Sequence, residues 1–382
     1  MKLKTLSLVV ASALVTNMAH ATDVNLDIET PMHDTSSTDL VTSEKEAGTS
    51  LYVSPHVSAN PTSEIGGGAT LGYVYKVPQQ EPVDGSEALE SPFYNLALSA
   101  TYFSSKSFSV GALNHISLDG GNQKIETSVT YDRYYNKYDS DSEHGDKTVS
   151  TIGSIYHRHS VRMLDDWFIG AHVKFTDSNY HHENRGGKEF LGDMGYTDTQ
   201  SLGLGLSLSL DTRDNAIYTT SGNRVAINTF SHFDKLWNTH DYHFIEMNFA
   251  DYRQVNGKDV IATNFYGRYT TDKTPTSMQS QLGDINVLRG FKQGQIVGDG
   301  LSAVQAEYRY YLTDRWKIVG FAGVANVVGG ASEVYGTDGI YYSGGAGVRY
   351  KILENHDTHL RVDYAIGSDE NHGLYIGFQE AF

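Results

Sequence analysis

Read for chemistry, the chain offers few reactive residues. None of its 382 residues is Cys, so a thiolate nucleophile, a thiolate metal site and a disulfide frame are all excluded. No G-x-S-x-G nucleophile elbow occurs. The most unusual local chemistry lies in residues 285–300, INVLRGFKQGQIVGDG, centred on Leu288, Arg289, Gly290 and Phe291. Here a cation stands between an aliphatic and an aromatic side chain, beside a Gly that lets the backbone turn sharply. Two readings are open. The stretch is a surface turn that happens to hold an Arg, or the tetrad folds back into a polar cavity and pairs there with a carboxylate. The run AVQAEYRYYL over 303–312 supplies such a carboxylate at Glu307.

Other constellations read as structural. Gly66, Gly67 and Gly68 with Gly72 invite a phosphate-loop reading. No GK[ST] follows and nothing after them is helical, so they read as strand glycines. His181, His182 and Glu183 lack a third ligand at helical spacing, and His240 and His243 fall on opposite faces of a strand. No metal site is assigned to either group. Glu126, Lys174, Arg268, Arg361 and Asp363 fit a cross-strand charge network better than a catalytic set. The chain reads as a non-enzyme without a cofactor.

The elements that position these residues are strands. Apolar content is only 39%, yet the chain holds 26 Tyr and 38 Gly against 7 Pro. This suits a β-protein whose alternate residues meet different solvents. The formal charge of -17 argues against nucleic acid, whose phosphates need a basic face. An acidic surface is compatible with a lipopolysaccharide layer bridged by divalent cations. The N-terminus has a basic start (Lys2, Lys4), an apolar run from Leu6 to Val15, then Ala19-His20-Ala21. This predicts a signal peptide over 1–21, cut before Thr22. Residues 22–48 are polar and acidic and read as a disordered periplasmic lead. No later run approaches the roughly 20 apolar residues of a spanning helix. A membrane form must therefore cross as a closed barrel over 49–382.

From Leu51 onward the period is two. Trp167, Ile169, Ala171, Val173 and Phe175 oppose Gly170, His172, Lys174 and Thr176, with Phe168 as the exception. Ile125, Thr127, Val129 and Tyr131 oppose Glu126, Ser128 and Thr130, and Leu360, Val362, Tyr364 and Ile366 oppose Arg361 and Asp363. Segments of about ten residues with this alternation mark outer-membrane strands, and about sixteen can be counted. Short connections such as 119–121, 164–166, 256–258 and 313–315 alternate with longer ones at 180–199 and 271–300. Residues 78–92 and 212–221 break that tidiness. Tyr134-Tyr135 and Tyr341-Tyr342 fit interfacial girdles. The expected last strand, 373–382, places Leu374, Ile376, Phe378 and Phe382 on one face with Glu380 as a misfit.

Three stretches together resemble the BamA/TamA, or bacterial surface antigen, outer-membrane superfamily. They are Leu288-Arg289-Gly290-Phe291, similar to its VRGF/LRGF tetrad; Asp211-Thr212-Arg213-Asp214-Asn215 through Ser221-Gly222, similar to its D-T-R-D-N…P-T-S-G periplasmic turn; and Ser54-Pro55 to Gly66-Gly67-Gly68. Thr219 stands where that turn usually has Pro. The resemblance covers Leu51 to Phe382. It implies an all-β, membrane-spanning antiparallel barrel with a long loop folded into the lumen, and Arg289 paired there with Glu307. It implies Asp211, Arg213, Asp214, Asn215 and Gly222 as a periplasmic turn. Phe378 and Phe382 become a C-terminal signal for the assembly machinery. The family's second acid, in F-x-D-x-G, is here Phe321-Ala322-Gly323-Val324-Ala325. Either the loop is held less firmly or another lumen acid such as Asp363 substitutes. Residues 22–48 are too short for POTRA repeats or a patatin domain, so a barrel-only member is expected. The implied role is outer-membrane biogenesis or homeostasis in a Gram-negative bacterium, handling protein or lipid. The alternatives are a passive pore, or an anchor for a periplasmic or surface partner. Expected partners are outer-membrane lipid and lipopolysaccharide, the assembly machinery, and a second copy as a homodimer.

Overall fold

Strict alternation leaves each strand with one face that only hydrocarbon tolerates and one that needs polar partners. Many such strands in sequence satisfy both by closing on themselves, which also pairs every backbone group without water. The computed structural model describes residues 49–76, 93–138, 145–215, 218–237, 240–271, 273–330, 338–352, 359–378 and 380–382. The expected signal peptide (1–21), the lead (22–48) and the connection at 78–92 lie outside the described residues.

The strands are β1 (Thr49–Asn60), β2 (Glu64–Lys76), β3 (Phe93–Phe103), β4 (Phe108–Leu118), β5 (Gln123–Tyr138), β6 (Asp146–Leu164), β7 (Trp167–His182), β8 (Thr199–Asp211) and β9 (Gly222–His232). They continue as β10 (Tyr242–Val255), β11 (Asp259–Thr270), β12 (Ser280–Gln281), β13 (Val297–Tyr311), β14 (Trp316–Gly330), β15 (Gly339–Lys351), β16 (His359–Gly367) and β17 (His372–Gly377). Every pairing is antiparallel. Each long strand pairs with its sequence neighbour, and β11 pairs with β13 across the two-residue β12. Among the described residues no helix is long and apolar enough to cross a membrane.

The alternation holds in three dimensions. Ile169, Val129, Ile155, Leu206, Val304, Tyr364 and Ile366 face outward and are exposed, while Glu126, His172, Lys174, Arg361 and Asp363 are buried inside. A belt of apolar side chains this extensive would be an aggregation site in water and is ordinary in lipid. Phe168, the exception to alternation, is inside, where Lys124 Nζ lies 4.2 Å from its ring centroid and the Arg162 guanidinium 4.9 Å. Only one ring of each tyrosine pair is on the outer face that a girdle requires. Tyr342 is exposed and Tyr135 half-buried, but Tyr341 and Tyr134 point into the lumen, since neighbours in a strand take opposite faces.

The short connections lie at one end. Asn256 and Gly257 show why they are short: φ values of 52° and 77° put both in the left-handed region a tight hairpin requires. At the other end are two features the alternation did not foretell. A helix, α1 (Arg185–Asp193), breaks the connection over 180–199, its first turn capped by Asn184, whose side chain accepts from Gly187 N–H at 2.8 Å. Within 271–300, β12 pairs Ser280↔Gly298 and Gln281↔Val297, so the loop re-enters the sheet before β13 resumes at Val297. His240 precedes β10, so it does not share a strand with His243.

Two regions of the wall differ from the rest. The closing seam between β1 and β17 has a single register pair, Ala59↔Ile376, whereas β1 and β2 pair from Thr49↔Tyr75 to Asn60↔Glu64. β17 also stops at Gly377, which corrects the expected strand over 373–382. Leu374 is exposed and Ile376 half-buried on the outer face, but Phe378 and Glu380 are buried and Phe382 packs on Ala250, Tyr252 and Ala262, which are lumen residues. Glu380 breaks the alternation because basic side chains inside the barrel draw it inward.

Candidate functional site

The loop between β11 and β13 folds into the barrel, and its tetrad is fully buried. Leu288, Arg289 and Phe291 are each 0% exposed. Around them Val287, Leu282, Ile296, Tyr266, Leu301 and Val327 form the main apolar core. Each tetrad residue has a fitted place. Phe291 packs on Gly367, where a Cβ would come 2.7 Å from its ring, and meets Tyr341 edge-on at 5.8 Å between centroids. Gly290 has φ 108° and donates its N–H to Tyr375 Oη at 2.7 Å. The loop backbone is held by lumen amides as well: Asn264 Nδ2 donates to Asn286 O at 2.7 Å and Gln305 Nε2 to Ile285 O at 3.1 Å.

Arg289 is the centre of a buried charge cluster. Its Nη2 lies 3.0 Å from Glu307 Oε2 on β13 and its Nη1 2.9 Å from Asp363 Oδ2 on β16. Its guanidinium lies over the Phe321 ring on β14, 3.4 Å from the centroid. The departure at the family's second acid thus has a local explanation. A Cβ on Gly323 would sit 2.7 Å from Leu288 Cδ1 and 2.8 Å from Val304 O. Leu288 takes the space an aspartate would need, and Asp363 supplies the second carboxylate from two strands away.

The cluster continues toward the short-turn end. Arg309 Nε is 2.6 Å from Glu307 Oε1, and Arg349 Nε is 2.6 Å from Glu380 Oε2. Arg349 also bonds Asp363, and Arg361 lies 3.7 Å from it. Lys317 Nζ lies 4.0 Å from Glu380. Cations outnumber acids here, so each carboxylate bridges several bases. Arg349 and Glu380 were missed in the sequence. The signal was there in both cases: Arg349 has lumen parity on β15, and Glu380 interrupts an apolar run.

The described residues of the turn over 212–221 pack against the cluster from the short-turn end. Arg213 clamps Asp211 through Nε to Oδ1 at 2.8 Å and Nη2 to Oδ2 at 2.6 Å. Asp214 accepts Thr220 N–H at 2.9 Å and Ser221 N–H at 3.1 Å, and also the Thr220 hydroxyl. Partial burial raises the Asp214 pKa, but the Thr220 hydroxyl and the N–H groups of Ser221, Thr220 and Asn215 outweigh it and hold the carboxyl below its ordinary range. Asn215 Oδ1 accepts Tyr218 N–H at 2.9 Å, and Gly222 has φ 105°, where a Cβ would come 2.2 Å from the Thr212 carbonyl oxygen. Tyr218 then reaches the chain end: its hydroxyl donates to Phe378 O and accepts His359 N–H at 2.9 Å. Arg309 ties the pieces together, donating to Thr219 O and to Phe382 O, each at 3.0 Å. The predicted site residues therefore belong to one connected network. The tetrad enters from the long-loop end, the turn and chain end from the other, and Glu307 and Arg309 join them.

Elsewhere in the lumen some acids and bases pair locally. Glu126 binds Arg158, with His115 at 3.7 Å, and Arg268 lies 3.3 Å from Glu246. His181, His182 and Glu183 are exposed, and among the described residues no group of His, Asp and Glu could hold a metal ion.

With this geometry in view, the chain matches the Omp85 superfamily domain over residues 94–382. It belongs to the Omp85 superfamily. Among solved structures, this Omp85 barrel is similar to BamA from Haemophilus ducreyi lacking POTRA domains 1–3, with a TM-score of 0.59 at 14% identity, covering 87% of this chain and 70% of that one. It is similar to CdiB from Acinetobacter baumannii (TM-score 0.55, 11% identity, 87% of this chain, 65% of that one). It is also similar to CdiB from Escherichia coli (TM-score 0.54, 12% identity, 85% and 62%). At these identities the likeness concerns the fold. No curated protein matches the sequence. As an Omp85 barrel the protein resides in the outer membrane of a Gram-negative bacterium, and among its described residues the barrel is the one folded domain.

Proposed function

We propose that this Omp85 barrel serves outer-membrane biogenesis or homeostasis, handling protein or lipid at its wall rather than passing solutes through its lumen. The observation that carries this reading is the contrast between a loop and charge cluster buried in the lumen and a barely paired seam. Arg289, Glu307, Arg309 and Asp363 are buried within the barrel, whereas β1 and β17 share only Ala59↔Ile376. Every other pair of neighbouring long strands shares at least six register pairs, and β1 pairs with β2 along its whole length, so the seam is where the wall opens at least cost. A passive pore would need the opposite, an open lumen and a uniform wall. The chemistry required is non-covalent, and the reading is of a non-enzyme.

The partners follow from the same surfaces. The apolar belt meets lipid and, on the outer leaflet, lipopolysaccharide. A separate periplasmic protein would supply any POTRA-like collection of substrate, and a second copy could dock as a homodimer. Phe378 and Phe382 would be read by the assembly machinery before closure, since Phe378 is buried in the finished barrel and Phe382 packs on lumen residues.

The natural absence of Cys allows a clean test. Ala59→Cys with Ile376→Cys places one thiol on each side of the seam at register-paired positions, within reach of a disulfide. Cells relying on the oxidised variant should show the antibiotic sensitivity and lost lipid asymmetry of a deletion strain, reversed by reductant. Full protection by the oxidised form would refute the reading.

A further inference from the structure

The connection between β9 and β10 differs in chemistry from the other turns at the long-loop end. Its described residues put three apolar side chains into the open within five positions: Phe233 is 40% exposed, Leu236 39% and Trp237 71%. Other turns at that end carry Ser104, Ser105 and Lys106, or Asp369, Glu370 and Asn371. Trp237 has φ 58°, in a left-handed region that a bulky residue rarely adopts.

This turn leaves the sheet sideways, over the outer wall. The pairing of β9 with β8 ends at Gly203↔His232, so Leu202 pairs with Phe175 of β7 and, among the described residues, has no register partner on β9. Trp237 reaches across β8 at this level: its ring meets Phe175 edge-on, 6.2 Å between centroids. Phe175 is the last apolar residue on the lipid-facing side of β7, with Asp177 and Asn179 beyond it. Nearer the middle of the wall, β9 turns the small side chains of Thr229 and Ser231 outward. They lie between Leu204 and Leu206 on β8, 43% and 61% exposed, and Ile245 on β10, register partner of Thr229. The strip is a shallow trough in an apolar surface. The Thr229 hydroxyl accepts Leu206 N–H and donates to Leu206 O, each at 3.2 Å. It is satisfied within the wall, as hydrocarbon outside requires.

We propose that Phe233, Leu236 and Trp237 seat in the outer leaflet and, with the trough on β9, hold one acyl chain of lipopolysaccharide against the wall. The surface is continuous with the lipid-facing belt, and it lies at the end that faces the outer leaflet. In that leaflet the three side chains leave water, and an indole finds the depth between hydrocarbon and headgroup that it favours. A second copy of the chain is a poorer occupant, because three side chains of one turn fall short of the roughly 800 Å² per partner that a stable protein interface buries. The inference rests on the outer-membrane location and not on the biogenesis reading, and β9 lies across the barrel from the seam.

Depth and occupant are tested separately on the full chain. The sequence holds 3 Trp, so Trp167→Phe with Trp316→Phe leaves Trp237 as the sole indole. In liposomes, phosphatidylcholine brominated along its chains should quench that indole about twofold or more, while aqueous iodide leaves it unchanged. An indole open to iodide and untouched by bromolipid would overturn the proposal. For the occupant, the wild-type barrel in detergent is offered equal amounts of lipopolysaccharide and phospholipid, and retained lipid is read by native mass spectrometry. Lipopolysaccharide should be retained in preference. Leu236→Ser with Trp237→Ser should lower its occupancy about fivefold or more. Ser231→Trp, which fills the trough and leaves the turn intact, should do the same while Trp237 stays quenched by bromolipid. Both variants should keep the heat-modifiable migration of a folded barrel. Preferential retention of phospholipid, unchanged occupancy in both variants, or a dimer that shields Trp237 from bromolipid would overturn it.

Discussion

At the residue scale, Arg289 is held by charge arithmetic as much as by geometry. Removing Arg289 leaves Glu307 with Arg309 and Arg349, and Asp363 with Arg349 and Arg361. Removing Glu307 leaves Arg289, Arg309 and Arg349 to share Asp363 and Glu380 inside a low-dielectric barrel. Breaking a buried ion pair costs about 3–5 kcal/mol when a charge is stranded. Glu307→Gln should therefore approach that figure, and Arg289→Gln should cost less, about 1–3 kcal/mol. Thermal unfolding in detergent, followed by heat-modifiable migration, would compare them. A second prediction concerns Gly323. Restoring the aspartate found in related motifs, Gly323→Asp, should destabilise rather than strengthen the loop, by about 1–3 kcal/mol of overpacking against Leu288. Leu288→Val in the same chain should recover part of the loss. Pairing Arg289 with Glu307 was legible because a tetrad and a strand parity are both local patterns. The place of Arg349 was not, because parity says which face a residue takes but not which residues meet across a lumen.

At the element scale, sixteen strands were legible because each needs only its own period of two. α1, β12 and the inward chain end were not, because each depends on contacts far away in sequence. Glu380 leaves the strand for Arg349, thirty-one residues earlier, and α1 is fixed by Phe190 against Tyr138 and Val297. The turn over 212–221 gives a pH prediction. The Asp214 pKa is lower in the folded turn than in the unfolded chain, so its stabilising effect is complete above the ordinary aspartate pKa of about 3.9 and fades as the pH falls through the folded value. Hydrogen exchange at Thr220 and Ser221 should therefore accelerate at the acid end, below about pH 4. Asp214→Asn should exchange faster than wild type at neutral pH and lose the acid dependence. Equal pH dependence in wild type and variant would show that Asp214 does not hold the turn.

At the scale of the whole molecule, the inward loop packs into the lumen from one end, the lower turn and chain end pack into it from the other, and the wall is weakest along one seam. The sequence carried the barrel and the family resemblance. It did not carry the packing from both ends, since neither the reach of Tyr218 to Phe378 nor that of Arg309 to Thr219 and Phe382 follows any local pattern. This two-ended packing is the central claim, and single-channel recording in planar bilayers tests it most directly. The purified wild-type barrel should show no large, steady open level. Arg289→Ala combined with Tyr218→Ala, which frees the loop and the lower turn together, should give frequent openings. A large and steady conductance in wild type, unchanged by those substitutions, would contradict the account.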